Sequence, residues 1–202
     1  MNLHSPRRRL ALRSQLRETV RATILDAAEE LIAARGLHAA ALAQIARKAG
    51  VAVGTLYNYF TDRDALIRAL FENRRATLRP QLLAAASIGL DLPFEHRLRG
   101  FVHEALAVFE RHRRFIKVAI ETEHLKLTPS TAAQDLERGL APIVASGVAE
   151  RALSPATAAL LPMLVTSAIR AVVMRGTAEG TAFVTDADAI VSILLDGARS
   201  RR

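Results

Sequence analysis

The sequence predicts an all-α protein. Half of its 202 residues are hydrophobic, yet Ala, Leu and Arg dominate, aromatic residues make up only 4%, with two Tyr and no Trp, and β-branched residues are scattered. Apolar residues recur at spacings of three and four, the period of a helix that buries one face. Prolines and glycines fall mostly between the periodic stretches, where helices start and stop.

Residues 1–14 (MNLHSPRRRLALRS) show no continuous apolar face and read as a flexible basic arm. From Gln15 to Arg35, Leu16, Val20, Ile24, Ala27, Ala28, Leu31 and Ile32 make one helical face, which Gly36 ends as a C-terminal cap. A short helix from about Leu42 to Ala49 is closed by Gly50, and a second, roughly Val53 to Tyr59, sets Leu56 and Phe60 four apart for burial. Thr61, with Asp64 three residues on, is expected to cap a longer helix from about Arg63 through Leu83. Proline-bearing joints mark the rest. Pro93 opens a helix to about Arg111, another spans Arg113 to Leu125, and Thr128 with Pro129 opens the next. Ser154 with Pro155 opens one reaching Arg175. Pro142 and Pro162 are expected to kink their helices, and a last helix, Asp186 to Ala198, is expected to be capped by Thr185. The domain boundaries are therefore 1–14, 15–68 and 69–202, with no internal repeat and about nine helices.

The chain has no cysteine, so neither a disulfide framework nor a thiolate metal site is possible, which fits a reducing, cytoplasmic setting. Leu10 to Thr19 is interrupted by Arg13, Arg17 and Glu18 and offers no secretory apolar core. No stretch is expected to serve as a membrane span, because even Ala156 to Met174 includes Pro162 and Arg170. The formal net charge is +8, and residues 1–68 hold eleven Lys/Arg against six Asp/Glu. That excess favours a polyanion as partner.

Two short helices joined by a four-residue turn with a central glycine are the pattern of a helix-turn-helix, in which the first helix braces the second and the second enters the major groove of DNA. In the second helix Leu56 and Phe60 are committed to a core, leaving Thr55, Tyr57, Asn58 and Tyr59 to project. All four can hydrogen-bond and none is a carboxylate, which would repel phosphate. Gly54 lets the backbone come close to a DNA strand.

The stretch Thr23 to Ala28, Gly36, the run from Ile45 to Val51 and the run from Gly54 to Phe60 together resemble the TetR family of bacterial regulators, over about residues 17–68. The resemblance implies a three-helix DNA-binding head, a helical body that dimerises through its last two long helices, and a small-molecule effector that changes the head spacing. The DNA-binding residues it implies are Arg47, Ala52, Val53, Gly54, Thr55, Tyr57, Asn58, Tyr59 and Arg63. Arg63, where Lys is more usual, is the phosphate anchor, and Asn58 is the best candidate to read adenine. The chain departs from the family in lacking hydroxyl caps: Ala40 and Ala41 stand before the bracing helix and Ala52 before the reading helix. The basic arm, Arg7 to Arg17, is expected to compensate by phosphate or minor-groove contact.

In the body, Phe101, Phe109, Phe115, Ile116, His124, Met163 and Ile169 are candidates to line an apolar effector pocket. Val165, Ala168, Val172, Val191, Leu194 and Leu195 exceed what one side of a monomer helix pair needs and are candidates for the dimer interface. His96 and His103, seven apart, form no recognised ligand motif, and no phosphate loop, nucleophile elbow or acid/base pair is present. The expectation is a DNA-binding homodimeric repressor that is not an enzyme, needs no cofactor or metal, and grips a palindromic operator until an effector releases it. The alternative is a basic helical protein that binds nucleic acid or anionic membrane without sequence preference.

Overall fold

The computed structural model describes residues 6–123 and 132–198, and all regular structure among them is helical. The order is α1 (Pro6–Arg35), α2 (Leu42–Lys48), α3 (Val53–Tyr57), α4 (Arg63–Ala85), α5 (Phe94–Arg111), α6 (Arg113–Glu123), α7 (Ala132–Ala149), α8 (Pro155–Glu179) and α9 (Ala187–Ala198), with a single 3₁₀ turn, Val184–Asp186, before α9. The expected cap pair Thr128 and Pro129 lies outside the described residues, as does His124.

Several boundaries differ from those the sequence predicts. Helix α1 begins at Pro6, so most of the expected arm is helical. Proline suits a first helical turn, and Arg, Leu and Ala are strong helix formers, so the packed part of α1 propagates back through them. No packing is needed: Leu10, Leu12 and Leu16 are 65, 67 and 64% exposed. Helix α3 ends at Tyr57, two residues early, with Asn58 as its C-cap. The start of α4 is capped by Asp62 and not Thr61: Ala65 N–H donates to Asp62 Oδ1 at 2.7 Å, and the Thr61 hydroxyl donates to the same carboxylate at 3.1 Å. Those donors hold the Asp62 carboxyl below its ordinary range, the Ala65 amide first. Thr185 sits inside the 3₁₀ turn, where its hydroxyl donates to the Ala182 carbonyl at 2.8 Å. Ser154 does cap α8, accepting from Thr157 N–H at 3.1 Å, with Pro155 in the first turn.

The chain divides into two compact units, and the division falls within α4 and within α6. One unit, the head, holds the described chain up to Asn73 together with the end of α6 from Glu121. Its core is Ile24, Leu25, Ala28 and Ile32 of α1, Ile45 and Ala46 of α2, Leu56 and Phe60 around α3, and Leu66, Ile67 and Leu70 of α4, each at most 3% exposed. Full burial of a Leu or Ile side chain contributes about 1.5–3 kcal/mol, so this cluster fixes how α2 and α3 sit on α1 and α4.

The second unit, the body, is the bundle of the rest of α4, most of α6, and α5, α7, α8 and α9. A Cβ added at Gly139 would lie 2.7 Å from the Phe101 ring, and one at Gly147 the same distance from the Phe94 ring. These contacts run α7 antiparallel to α5 and require a residue without a side chain at both places. At the other end of α5, Arg113 forms a bidentate pair with Glu110 at 2.7 and 2.9 Å. It also donates to the carbonyls of Gly176, at 3.0 Å, and Thr181, and lies 4.0 Å from the centroid of the Phe183 ring. Phe183 N–H donates to Glu110 at 2.8 Å, so one ion pair closes the exit of α8 onto the α5–α6 junction. Arg113 and the Phe183 amide together hold the Glu110 carboxyl below its ordinary value.

Helix α8, at 25 residues, is long and apolar enough to cross a membrane by length and composition, contrary to the sequence expectation. Leu161, Val165, Thr166, Ile169, Val173 and Gly176 form its buried face, while Leu160, Met163, Leu164 and Met174 are exposed.

Candidate nucleic-acid interface

Helix α2 ends in a left-handed glycine. Gly50 has φ +71, its N–H donates to the Arg47 carbonyl at 3.2 Å, and Val51 N–H donates to the Ala46 carbonyl at 3.0 Å. This pair of bonds satisfies the last carbonyls of α2 and turns the chain sharply. Helix α3 begins three residues later and is anchored by Leu56, which is fully buried. Anchoring one side of a five-residue helix leaves the other side to solvent.

On that outer side the structure places Ala52, Val53, Gly54, Tyr57 and Asn58, all exposed, with Val53 at 41% and Tyr57 at 50%. Arg47, in the last turn of α2, is exposed too, whereas Thr55 and Tyr59 are half-buried. Neither Ala41 nor Ala52 makes a side-chain cap, so the first N–H groups of α2 and α3 have no side-chain acceptor. A Cβ at Gly54 would meet nothing within 4 Å, and its φ is not positive. Nothing inside the chain therefore requires glycine there.

The structure adds Arg21 to the sequence-derived set and places Arg17, expected in the basic arm, on helix α1. The Arg17 guanidinium lies 5.7 Å from the Tyr59 ring centroid, and Arg21 lies 5.8 Å from that of Phe60. Tyr59 is thus held between its own segment and α1, and Arg17 is set beside α3 by a helix, not by a flexible arm. Arg17 and Arg21 are four apart on the helix the sequence predicts from Gln15 and so share a face, but which groups that face meets is decided by how the segment after α3 packs against α1. Arg63 occupies the first position of α4 and is half-buried, with its Nη2 shielded and without a hydrogen-bond partner among the described residues. Lys48 is used internally, bonding Glu30 of α1 at 2.7 Å. At the end of α1, Leu37 N–H donates to Glu121 Oε1 of α6 at 2.6 Å, which fastens the C-terminal end of α6 to the head.

The residues expected to line a pocket do not form one class. Phe101, Phe109, Phe115, Ile116 and Ile169 are all buried, at most 8% exposed, and Phe101 is engaged in the close α5–α7 packing. Met163 is 55% exposed and faces outward. Among the expected dimer residues, Val165, Val191 and Leu195 are already buried within the chain, at 0, 0 and 6% exposure, so they offer no surface to a second copy. Ala168, Val172 and Leu194 are half-buried.

A helix-turn-helix with its second helix exposed along one side defines the class: a DNA-binding head. Residues 24–70 match the model for bacterial regulatory proteins, tetR family. Over this head the chain is similar to bacterial regulatory proteins of the tetR family. A relative from Bacillus subtilis (strain 168), named as the uncharacterized HTH-type transcriptional regulator YvdT, is 37% identical over 93 residues, 46% of this chain and 47% of the relative. The chain thus matches about half the length of that relative. Among solved structures, the fatty acid degradation regulator FadR from Bacillus halodurans superposes with a TM-score of 0.72 at 21% identity, covering 90% of this chain and 97% of that one. FadR from Bacillus subtilis, solved with stearoyl-CoA, gives 0.71 at 19% identity, covering 87 and 98%. At those identities the likeness is one of fold.

Proposed function

We propose that the protein is a transcription regulator that binds a palindromic operator as a homodimer and is released by a small-molecule effector. The observation that carries this reading is the outer side of α3, where Tyr57 and Asn58 are exposed beside a glycine that no internal contact requires. Asn58 reads a base edge, Tyr57, Thr55 and Arg47 hold flanking phosphates or bases, and Arg17 and Arg63 supply charge. Arg63 reaches a phosphate through its remaining donors, because Nη2 is shielded.

Dimerisation is supported by one unbroken stripe on α8. Leu160, Met163, Leu164, Ser167, Ala171 and Met174 are all exposed and recur every three or four residues, with Ser and Ala at the centre where two helices could approach closely. Ile193, on α9, is a second apolar side chain left to solvent, 73% exposed. Two heads so joined reach successive major grooves when they stand about 34–36 Å apart or a multiple of it. An effector that prefers a different spacing shifts the population and releases the DNA. Phe115 and Ile116 share α6 with Glu121, the residue bonded to the end of α1.

Selection of bound DNA from a random pool tests the reading. A palindrome held about 10³-fold or more over random sequence is the expected result, and Asn58→Ala should then relax preference at one base position per half-site. Binding that scales with salt but enriches no sequence would replace this reading with non-specific association.

A further inference from the structure

The arginines on the face of α1 that meets the segment after α3 are not used alike. Arg21 packs over Phe60, which is 3% exposed, and pairs with Glu18 at 3.6 Å. Arg17, one turn earlier, is exposed and makes no ion pair among the described residues; what it meets is the ring of Tyr59, 5.7 Å from guanidinium carbon to centroid. No acidic residue precedes Glu18 in the sequence, and Arg13, four residues before Arg17, is exposed as well. Like charges four apart on a helix repel, so the stability of α1 gives no reason for a cation at Arg17.

Tyr59 lies outside the reading helix. Helix α3 ends at Tyr57, with Asn58 as its C-cap, and the next two amides, Tyr59 N–H and Phe60 N–H, both donate to the Leu56 carbonyl at 3.0 Å. Tyr59 is half-buried, its ring centroid 6.4 Å from that of Phe60, and its hydroxyl makes no hydrogen bond among the described residues. At an exposed site a cation is favoured over an aromatic face by about two- to fivefold. That preference selects one placement for a long side chain that otherwise has many, and it sets Arg17 against the residue that follows the exposed Asn58. A guanidinium resting on a ring keeps the donors at its planar edge, the part that fits phosphate oxygens.

We infer that Tyr59 is a positioning residue for DNA binding: its ring seats the Arg17 guanidinium, Arg17 holds a phosphate of the strand that runs past the end of α3, and the Tyr59 hydroxyl takes no part. This rests on the DNA-binding reading above and differs from the sequence expectation, in which Tyr59 itself contacts the DNA. The phosphate contact carries no sequence information; it fixes the register in which Asn58 meets a base edge.

A double-mutant cycle tests it, with the full chain titrated against a mixed-sequence DNA duplex, and against the selected operator, at several salt concentrations. Arg17→Gln should weaken binding to both duplexes and lower the slope of log K against log salt by about 0.9, the share of one phosphate. Tyr59→Leu should weaken binding by about two- to fivefold in the wild-type background and not at all in Arg17→Gln, since its effect runs through Arg17. Tyr59→Phe keeps the ring and should bind as the wild type does. Tyr59→Met serves as a second variant without a ring in case Tyr59→Leu does not fold. Three results would overturn the inference. A loss in Tyr59→Phe would mean that the hydroxyl itself contacts DNA. An equal loss from Tyr59→Leu with and without Arg17 would mean that the ring only supports the fold or acts alone. An unchanged salt slope in Arg17→Gln would mean that Arg17 holds no phosphate. The cycle is read on the mixed-sequence duplex whether or not an operator is selected, so this inference can fail while the operator reading stands, and the reverse.

Discussion

Replacing Gly54 with alanine should move stability and DNA affinity in opposite directions. Glycine inside a helix is less favourable than alanine by about 0.5–1 kcal/mol, chiefly because the unfolded chain loses more freedom. Gly54 is helical, has no positive φ, and has open space where a Cβ would go, so the folded state accepts the methyl group without strain. Its place in the first turn of a five-residue helix puts the gain at the low end of that range. For a chain of this size, 1 kcal/mol corresponds to about 2–4 °C in Tm, which predicts a rise of about 1–3 °C. Against a selected operator, the same methyl group occupies the room that a DNA strand would use, and a loss of about tenfold, 1.4 kcal/mol, is expected. Scanning calorimetry and fluorescence anisotropy on one preparation read both effects. Gly50→Ala is the control: with φ +71 it should cost about 1–2 kcal/mol of stability, and its DNA binding should fall only as far as the fold does. Full operator affinity in Gly54→Ala would show that DNA does not approach the α3 backbone, and a lower Tm would show that the space is not open.

Four further outcomes follow from the geometry. Arg113→Met removes the bidentate pair with Glu110 and the donors to Gly176 and Thr181; with the pair about one-third exposed, a loss of about 1.5–3 kcal/mol is expected in urea unfolding, and a change under about 0.5 kcal/mol would refute the clamp. Because Glu110 titrates in the folded protein below its ordinary value of 4.5, its contribution is complete above that pH and is lost as pH falls through the folded value. Stability measured from pH 6 to about pH 3 should therefore fall less steeply in Glu110→Gln. Leu164→Arg places a charge in the centre of the exposed α8 stripe, and light scattering is expected to report dimers for the wild type and monomers for the variant; an unchanged dimer would move the interface elsewhere. Deleting residues 1–14 removes the start of α1 and should weaken operator binding and flatten its dependence on salt, and identical binding at several salt concentrations would exclude a role for that helix.

Local chemistry was legible along the chain, and it covers most of the fold. The three-and-four spacing of Ile24, Ala28 and Ile32, Gly50 at the end of α2, Ser154 with Pro155 at the start of α8, and the four-residue turn before α3 all concern groups within one helical turn or two of each other. The same proximity explains why the head was readable: its pattern is compressed into about 50 residues, and Leu56 declares the buried side of α3 by its position relative to Phe60. The errors arose where two local solutions compete. Asp62 and Thr61 are both good caps, and only the path of the chain into α4 assigns the carboxylate to the Ala65 amide. The arm looked unstructured because it has no apolar face, but a helix already nucleated and packed downstream extends through good helix formers at little cost.

What the sequence determined by itself was therefore the helical class, the helix-turn-helix and the polar composition of α3, all set by short-range spacing. Which face of α8 is spent inside the chain was decided only by tertiary structure. Val165 and Leu164 are adjacent and equally apolar, and only packing against α5, α7 and α9 buries the first and leaves the second outside.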